Sequence, residues 1–404
     1  NITVVGDLDQ SIYGWRGANV GNMYSFEQDF ENVRVVTLEQ NYRSRQNILD
    51  AANELIRYNQ GLRDKSLWSE LGAGDSLMLL NPWDERQEAA DIAREIDYLI
   101  TEGYRLNDIA VMFRTKAQSR VIEETFMRMA VPHVLIGATA FYDRREIKDA
   151  IAFLRVIENP RDFTAFSRIV NVPKRGIGKK TIEKIEALAL EQGTVFDLVD
   201  DKGKPLGGLP PKAAPVIHTL KKLREQRSSI GIGELIKRVV SETDYSSFLE
   251  ELAKKEGTTS RMENVEELVS IAAEYVQQTN QPTLDGFLSR LALISDTDVE
   301  DFGEGSVKLI TLHSAKGLEF PVVFISGVEE GLLPHNTSIE EGNLEEERRL
   351  CYVGITRAKE LLYMSCCRSR MRFGSVMHNE PSRFLQEIGV DHFDSLDAAR
   401  GGAG

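Results

Sequence analysis

The sequence predicts an α/β protein whose largely parallel sheet is interrupted by a long helical insertion. Short β-branched runs bounded by Gly, Asp, Asn or Pro recur at 2–5, 33–38, 76–80, 109–113 and 132–136, with helix-period segments between most of them. That alternation is the signature of a parallel sheet joined by crossover helices. From about 143 to 304 the strand signal almost vanishes and amphipathic stretches take over at 144–158, 178–192, 211–229, 261–278 and 283–294. Strands then return at 307–312, 321–325 and 361–365. One α/β domain split by a helical block, with breaks near Tyr142 and Glu304, is the simplest organisation. The Gly/Pro-rich 202–215 reads as a connector inside that block, and ARGGAG at the end as a flexible tail.

Composition narrows the class. At 404 residues the chain is long enough for two or three domains, and 42% hydrophobic with 28% charged residues is ordinary for a globular protein. The longest apolar runs, PVVFIS and VKLITL, fall far short of the roughly 18 residues that cross a bilayer. Three cysteines, Cys351, Cys366 and Cys367, make neither a disulfide framework nor a CxxC site, so a reducing compartment is expected. The chain opens at Asn1 on a strand-like run without Met or a signal segment, which reads as a cut. Net charge of −14 argues against nucleic-acid binding by itself, yet residues 165–185 hold six cations against the single anion Glu183, while 296–304 holds five acids and no base. A basic groove can coexist with acidic faces.

Four segments carry chemistry. In ITVVGDLDQSIYGWRGAN, Gly6 permits a tight turn and Asp7, Asp9 and Gln10 fall where a parallel strand would end, the place where α/β sheets bind ligands. Gln10 suits a water-orienting or terminal-phosphate role. Tyr13, Trp15 and Arg16 suit base stacking, or else tuck the loop beneath the sheet. In VVTLEQNYRSRQNIL, Tyr42 and Arg43 stand between a strand and a helix expected to begin near Ser44, so the ring could stack on a base and the guanidinium reach phosphates, or both could simply cover surface. In VKLITLHSAKGLEFPVVFI, His313 and Lys316 can meet phosphate oxygens and Glu319 can accept from sugar hydroxyls, though each has an ordinary structural role open to it. EEERRLCYVGITRAKELLYMS places Arg357 on a helical run feeding a strand, as expected of an arginine inserted towards a γ-phosphate.

Together and in this order, VVGDLDQSIYGWRGAN, LEQNYRSRQNIL, LHSAKGLEFPVVFI and RRLCYVGITRAKE closely resemble the superfamily 1A DNA helicases of the UvrD/PcrA/Rep type. The likeness continues through FRTKAQSR, GATAFYDRREIKDAIAFLRVIENP and NVPKRGIGKKTIEKI, to about residue 386. It implies a RecA-like, P-loop-NTPase-type sheet domain (2A, 35–142 and 305–390) interrupted by a helical domain (2B, 143–304), with 1–34 the end of the first motor domain (1A) and 391–404 a tail. It implies ATP and magnesium as cofactors, single-stranded DNA and single-strand/duplex junctions as partners together with repair or replication accessory proteins, and a bacterial cytoplasmic, nucleoid-associated location.

Residue by residue, the resemblance assigns Gln10 to γ-phosphate sensing, Tyr42 to adenine, Arg43 and Arg357 to two arginine fingers, and Glu319 to the ribose. Trp15, with Tyr13 and Arg16, would meet single-stranded DNA, His313 and Lys316 its backbone, and Arg114 and Thr115 would lie near it. Gly176, Gly178, Lys179, Lys180 and Thr181 fit a helix-hairpin-helix turn gripping one duplex phosphate, or a plain Gly turn between packed helices.

The family's GxxxxGK[ST] loop and magnesium-holding acidic strand are expected before residue 1. The nearest decoy, RGIGKKT, fails because residue 173 is Pro where the first Gly is required and Lys180 follows Lys179 where Ser or Thr should. The expected function is therefore part of a 3′ to 5′ ATP-dependent DNA helicase that does not hydrolyse ATP alone. A non-catalytic DNA-binding or partner-docking module, and the motor part of a helicase-nuclease, are the alternatives.

Overall fold

A computed structural model describes residues 2–14, 21–60, 65–137, 140–256, 260–295, 305–372 and 374–396. The chain divides into two compact units: Asn1–Ala138 with Asp301–Arg370 and Met377–Gly404, and Thr139–Glu300 with Met371–Val376.

The first unit is built on a seven-stranded sheet, parallel throughout. Its strands are β1 (Leu77–Leu80), β2 (Ile109–Phe113), β3 (His133–Ile136), β4 (Val307–Thr311), β5 (Phe320–Ile325), β6 (Ala358–Ser365) and β9 (Phe393–Ser395); a separate ribbon of β7 (Arg370–Arg372) and β8 (Ser375–Met377) falls mostly in the second unit. Spatial order is β3-β4-β2-β5-β6-β1-β9. Alternation along β2 shows why the strands read as continuous apolar runs. Ala110 and Met112 join one core with the helices Gln46–Ile56 and Leu344–Ile355, while Ile109, Val111 and Phe113 join another with Glu85–Thr101 and Ser119–Arg128. Both faces are covered, as a parallel sheet requires. The α/β class and the RecA-like layering follow.

Two expected strands are absent among the described residues. The runs at 2–5 and 33–38 carry no ladder bonds, and Val5, Val36 and Leu38 are 87%, 64% and 76% exposed. Their β-branched side chains fit a pleated sheet, but a strand forms only beside a partner that accepts its hydrogen bonds. The end of the chain departs in the opposite direction. A tail was expected over 391–404; within it β9 pairs with β1 through Leu77 and Phe393, while 397–404, with ARGGAG, lie outside the described residues. Ser44 does not cap the following helix either. That helix starts at Gln46 after Arg45, and the Ser44 hydroxyl donates to the Ala358 carbonyl at 2.6 Å.

The second unit is helical, with Arg145–Glu158, Lys179–Gln192, Ala214–Gln226, Ser260–Gln278 and Leu284–Ser295 near the expected positions, joined by Phe163–Ile169, Ile232–Glu242 and Tyr245–Glu256. Phe153, Phe166, Ile217, Leu268 and Phe287 pack into its single core. No helix among the described residues is long and apolar enough to cross a membrane.

Candidate functional site

Arg43, Glu319 and Arg357, three of the residues expected at a nucleotide, gather at the amino ends of β5 and β6, not at the carboxyl edge that α/β sheets usually offer. The Asn41 carboxamide oxygen accepts from the backbone N–H groups of Arg43 (2.8 Å) and Ser44 (2.9 Å), an Asx turn that fixes the loop. Ser44 and Arg45 then bind the main chain of Ala358 and Lys359, holding the loop against the start of β6. Arg43 is thereby placed so that its Nη1 donates to the Thr356 carbonyl at 3.2 Å and its Nε to Glu319 Oε2 at 2.5 Å.

Arg357 meets the same threonine through its hydroxyl. Its Nη2 donates to Thr356 Oγ1 (3.1 Å), Nε to the Val353 carbonyl (3.0 Å) and Nη1 to the Leu318 carbonyl (3.2 Å). Every acceptor is neutral. Burial, reinforced by the neighbouring Arg43 cation, pulls this guanidinium down to about 10. Buried positive charge without a carboxylate is costly unless an anion can meet it. Arg43 and Arg357 thus share one residue, Thr356, and converge.

Glu319 balances the group. Lys359 Nζ approaches its Oε1 at 2.8 Å, and hydrogen bonds from Lys359 and then Arg43 hold its carboxyl down to about 2. Tyr42 stands nearby in sequence with its ring 80% exposed and its hydroxyl donated to Gln40 at 2.8 Å, so the ring is open to a planar ligand.

Residues 7–14 belong to the same unit. The Gln10 carboxamide donates to Asp7 Oδ2 at 2.7 Å, and Lys65 Nζ bridges Asp7 (3.0 Å) and Asp9 (2.7 Å). Burial lowers the Lys65 ammonium, but the two aspartates outweigh it and hold the group above its ordinary value. Lys316, expected on phosphate, donates here to the Gln10 carbonyl at 2.8 Å and sits over the Tyr13 ring, whose hydroxyl donates to the His313 carbonyl at 3.0 Å. The loop 312–319 runs from the carboxyl end of β4, at His313, to the amino end of β5, at Glu319. It therefore spans the sheet from one edge to the other. Trp15 and Arg16 lie outside the described residues.

Arg114 and Thr115 follow β2 at the carboxyl edge. Arg114 binds Glu347 through Nε and Nη2 (3.0 and 2.7 Å). Burial pushes that carboxyl up, but Arg114 and then donors from His335 and Ser338 hold it below the usual range. Thr115 is buried and its N–H donates to Gln118.

In the helical unit, Gly176 takes φ +71° and Gly178 precedes the helix Lys179–Gln192, with Thr181 N–H donating to the Gly178 carbonyl at 2.9 Å. Asn171 Oδ1 accepts from Arg175 N (2.8 Å) and Ile177 N (3.1 Å). Two of the six cations read from the sequence are structural. Arg168 pairs with Asp149 at 2.7 Å, and Arg175 donates to the carbonyls of Val172, Pro173 and Thr243. Lys174, Lys179, Lys180 and Lys184 remain exposed. Sequence reasoning missed Thr356, Lys359 and Lys65. Lys359 was within reach, two residues beyond Arg357, whereas nothing local ties Lys65 to Asp7.

Comparison with known proteins identifies the family of the chain. The UvrD-like helicase C-terminal domain matches residues 36–369 and the UvrD/REP helicase N-terminal domain residues 1–31. The chain is 43% identical to the ATP-dependent DNA helicase PcrA of Staphylococcus epidermidis over 405 residues, 98% of this chain and 55% of that protein. It is likewise 43% identical to PcrA of Bacillus subtilis over 409 residues (98% and 55%) and 42% identical to PcrA of Staphylococcus aureus over 398 (96% and 54%). It spans about half the length of these curated relatives. Matched over most of its length by both criteria, the chain belongs to the UvrD-like helicase family.

Proposed function

We propose that this chain supplies the arginine-bearing face of an ATP-dependent 3′ to 5′ DNA helicase that couples hydrolysis to single-strand translocation and duplex unwinding in repair or replication. One observation carries the reading: Arg43 and Arg357 converge on Thr356 beside Glu319, and one of the two guanidiniums has only neutral acceptors. A triphosphate suits that deficit. Arg357 and Arg43 would neutralise charge developing on the γ-phosphoryl group, Tyr42 would stack on the adenine, and Glu319 would accept from the ribose hydroxyls. Arg43 would exchange Glu319 for phosphate as the nucleotide arrives.

Glu319, already held by two cations, is poorly placed to serve magnesium, so the metal's ligands are expected on the phosphate-cradling lobe. Gln10, tied through Lys316 and Tyr13 to the 312–319 loop, would link the phosphate to DNA at His313. Tyr13, Trp15 and Arg16 would hold the single strand, with Arg114 and Thr115 near it. Lys179, Lys180 and the Gly176–Gly178 turn, with Thr181, would grip duplex phosphate at a junction.

The test is hydrolysis and unwinding by the full-length protein that we propose contains this chain. Arg43→Ala and Arg357→Ala should abolish DNA-stimulated hydrolysis while nucleotide binding persists. Undiminished turnover in both variants refutes the reading. This chain alone should show no ATPase.

A further inference from the structure

We propose that Trp83 and Arg368 form a further stacking site for single-stranded DNA at the carboxyl edge of the sheet, beyond β1 and β6. The proposal rests on the DNA reading above and extends it to residues with no assigned role.

The ring is presented, not buried. Trp83 is 59% exposed, yet its backbone is fixed on three sides. Its N–H donates to Gln87 Oε1 at 3.0 Å, and its carbonyl accepts from the Ser369 N–H (3.0 Å) and hydroxyl (3.1 Å). Arg368 N–H donates to the Pro82 carbonyl at 3.1 Å, so the two loops are stitched together. The Arg368 guanidinium carbon then lies 5.6 Å from the Trp83 ring centroid.

Two residues on, Arg370 shows what an arginine here does when its work is structural. It is buried and binds Glu329 Oε1 at 2.7 Å and Glu88 Oε2 at 2.8 Å. Arg368 is exposed, and among the described residues no carboxylate pairs with it. Asp84, the acid next to Trp83 in sequence, already accepts from the backbone of Arg86 and Gln87. A ring with a cation over it and no counter-ion can take a base on the ring and a phosphate on the guanidinium.

Location supports a nucleic-acid strand over a protein partner. Because all seven strands are parallel, the loops after β4, β2, β6 and β1 emerge along one edge. That edge carries His313, Arg114, Arg368 and Trp83 in spatial order. β1 lies three places from β2, or about 14 Å at the usual strand spacing, a gap a few nucleotides bridge. Gln87 and Ser369, hydrogen-bonded to the Trp83 backbone, and Arg368, over its ring, are polar or charged neighbours and make no contiguous apolar patch for a protein surface.

The experiment uses the chain itself with a fluorescein-labelled oligo(dT) strand and an abasic strand of equal length, followed by anisotropy. Trp83→Ala should weaken oligo(dT) binding about tenfold, the size of one lost base stack, and leave the abasic strand unchanged. Trp83→Phe should restore most of the loss. Arg368→Gln should weaken both strands and lower the salt slope by about 0.7. Equal oligo(dT) affinity for the chain and Trp83→Ala overturns the proposal while leaving the DNA reading intact. No binding by the unaltered chain overturns both. Thermal melting of the Ala and Phe variants verifies that each is folded.

Discussion

The amino-edge cluster and the Gly176 turn hold cations by opposite means. At the edge of the sheet, Arg43 comes from a segment more than 300 residues before Arg357 and Lys359; Arg43 and Lys359 are balanced against one carboxylate, Glu319, while Arg357 has neutral acceptors. In the helical unit, Lys179 and Lys180 are neighbours on one helix start, exposed, and set by a turn that Asn171 and Arg175 stabilise from within. The first arrangement suits a ligand whose charge changes during a reaction, because the cations can be exchanged between partners. The second suits a fixed anion, because only the backbone is preorganised.

Breaking the edge cluster should give the largest effect. Arg357→Ala should lower DNA-stimulated kcat in the full-length protein by roughly 10³-fold or more, the scale of a lost arginine finger, measured as phosphate release. Arg175→Ala attacks the other region structurally. Leaving the Val172, Pro173 and Thr243 carbonyls short of a donor should cost about 2–4 kcal/mol in denaturant unfolding, and Arg175→Lys should not rescue it, since one ammonium cannot reproduce the fork. Replacing Lys179 and Lys180 by Ala should weaken duplex binding about tenfold, equally for all sequences, with a flatter salt dependence. Unchanged binding would remove the turn from the DNA contacts.

Two pH effects sharpen the contrast. Glu319, depressed to about 2, contributes stability that is present above the ordinary carboxylate range and lost as pH falls towards 2. Lys359→Ala should raise that titration point, followed by carboxyl NMR. Glu266, in the helical unit, behaves oppositely. Burial and then Glu263 push it up to about 7, so the folded state holds the proton longer and stability falls as pH rises from about 4.5 to 7. Glu266→Gln should therefore stabilise the chain at pH 8 by roughly 1 kcal/mol, after discounting for its partial exposure.

Six of the seven strands of the main sheet were readable because buried parallel strands are apolar on both faces, and β2 occupies the residues expected; only β9 was not. The helical block was readable from its 3.6-residue period. Residues 2–5 and 33–38 carry the same β signal without forming strands, since composition reports the fit of a side chain to a pleat and not the presence of a neighbour. Lys316 shows a related limit. Its ammonium suits phosphate, but the fold brings the Gln10 carbonyl within 2.8 Å.

From its residues alone this chain determined which groups are chemically able to meet phosphate, base and sugar, and the α/β class that carries them, because side-chain chemistry and hydrophobic period are local properties. Only the tertiary structure decided that Arg43 and Arg357 share Thr356, that Lys359 and Lys65 join the charged network, and that Trp83 stands beside Arg368 on the edge that bears His313. Those pairings depend on strand order in a sheet whose neighbours lie far apart along the chain, and long-range order is what a local pattern does not encode.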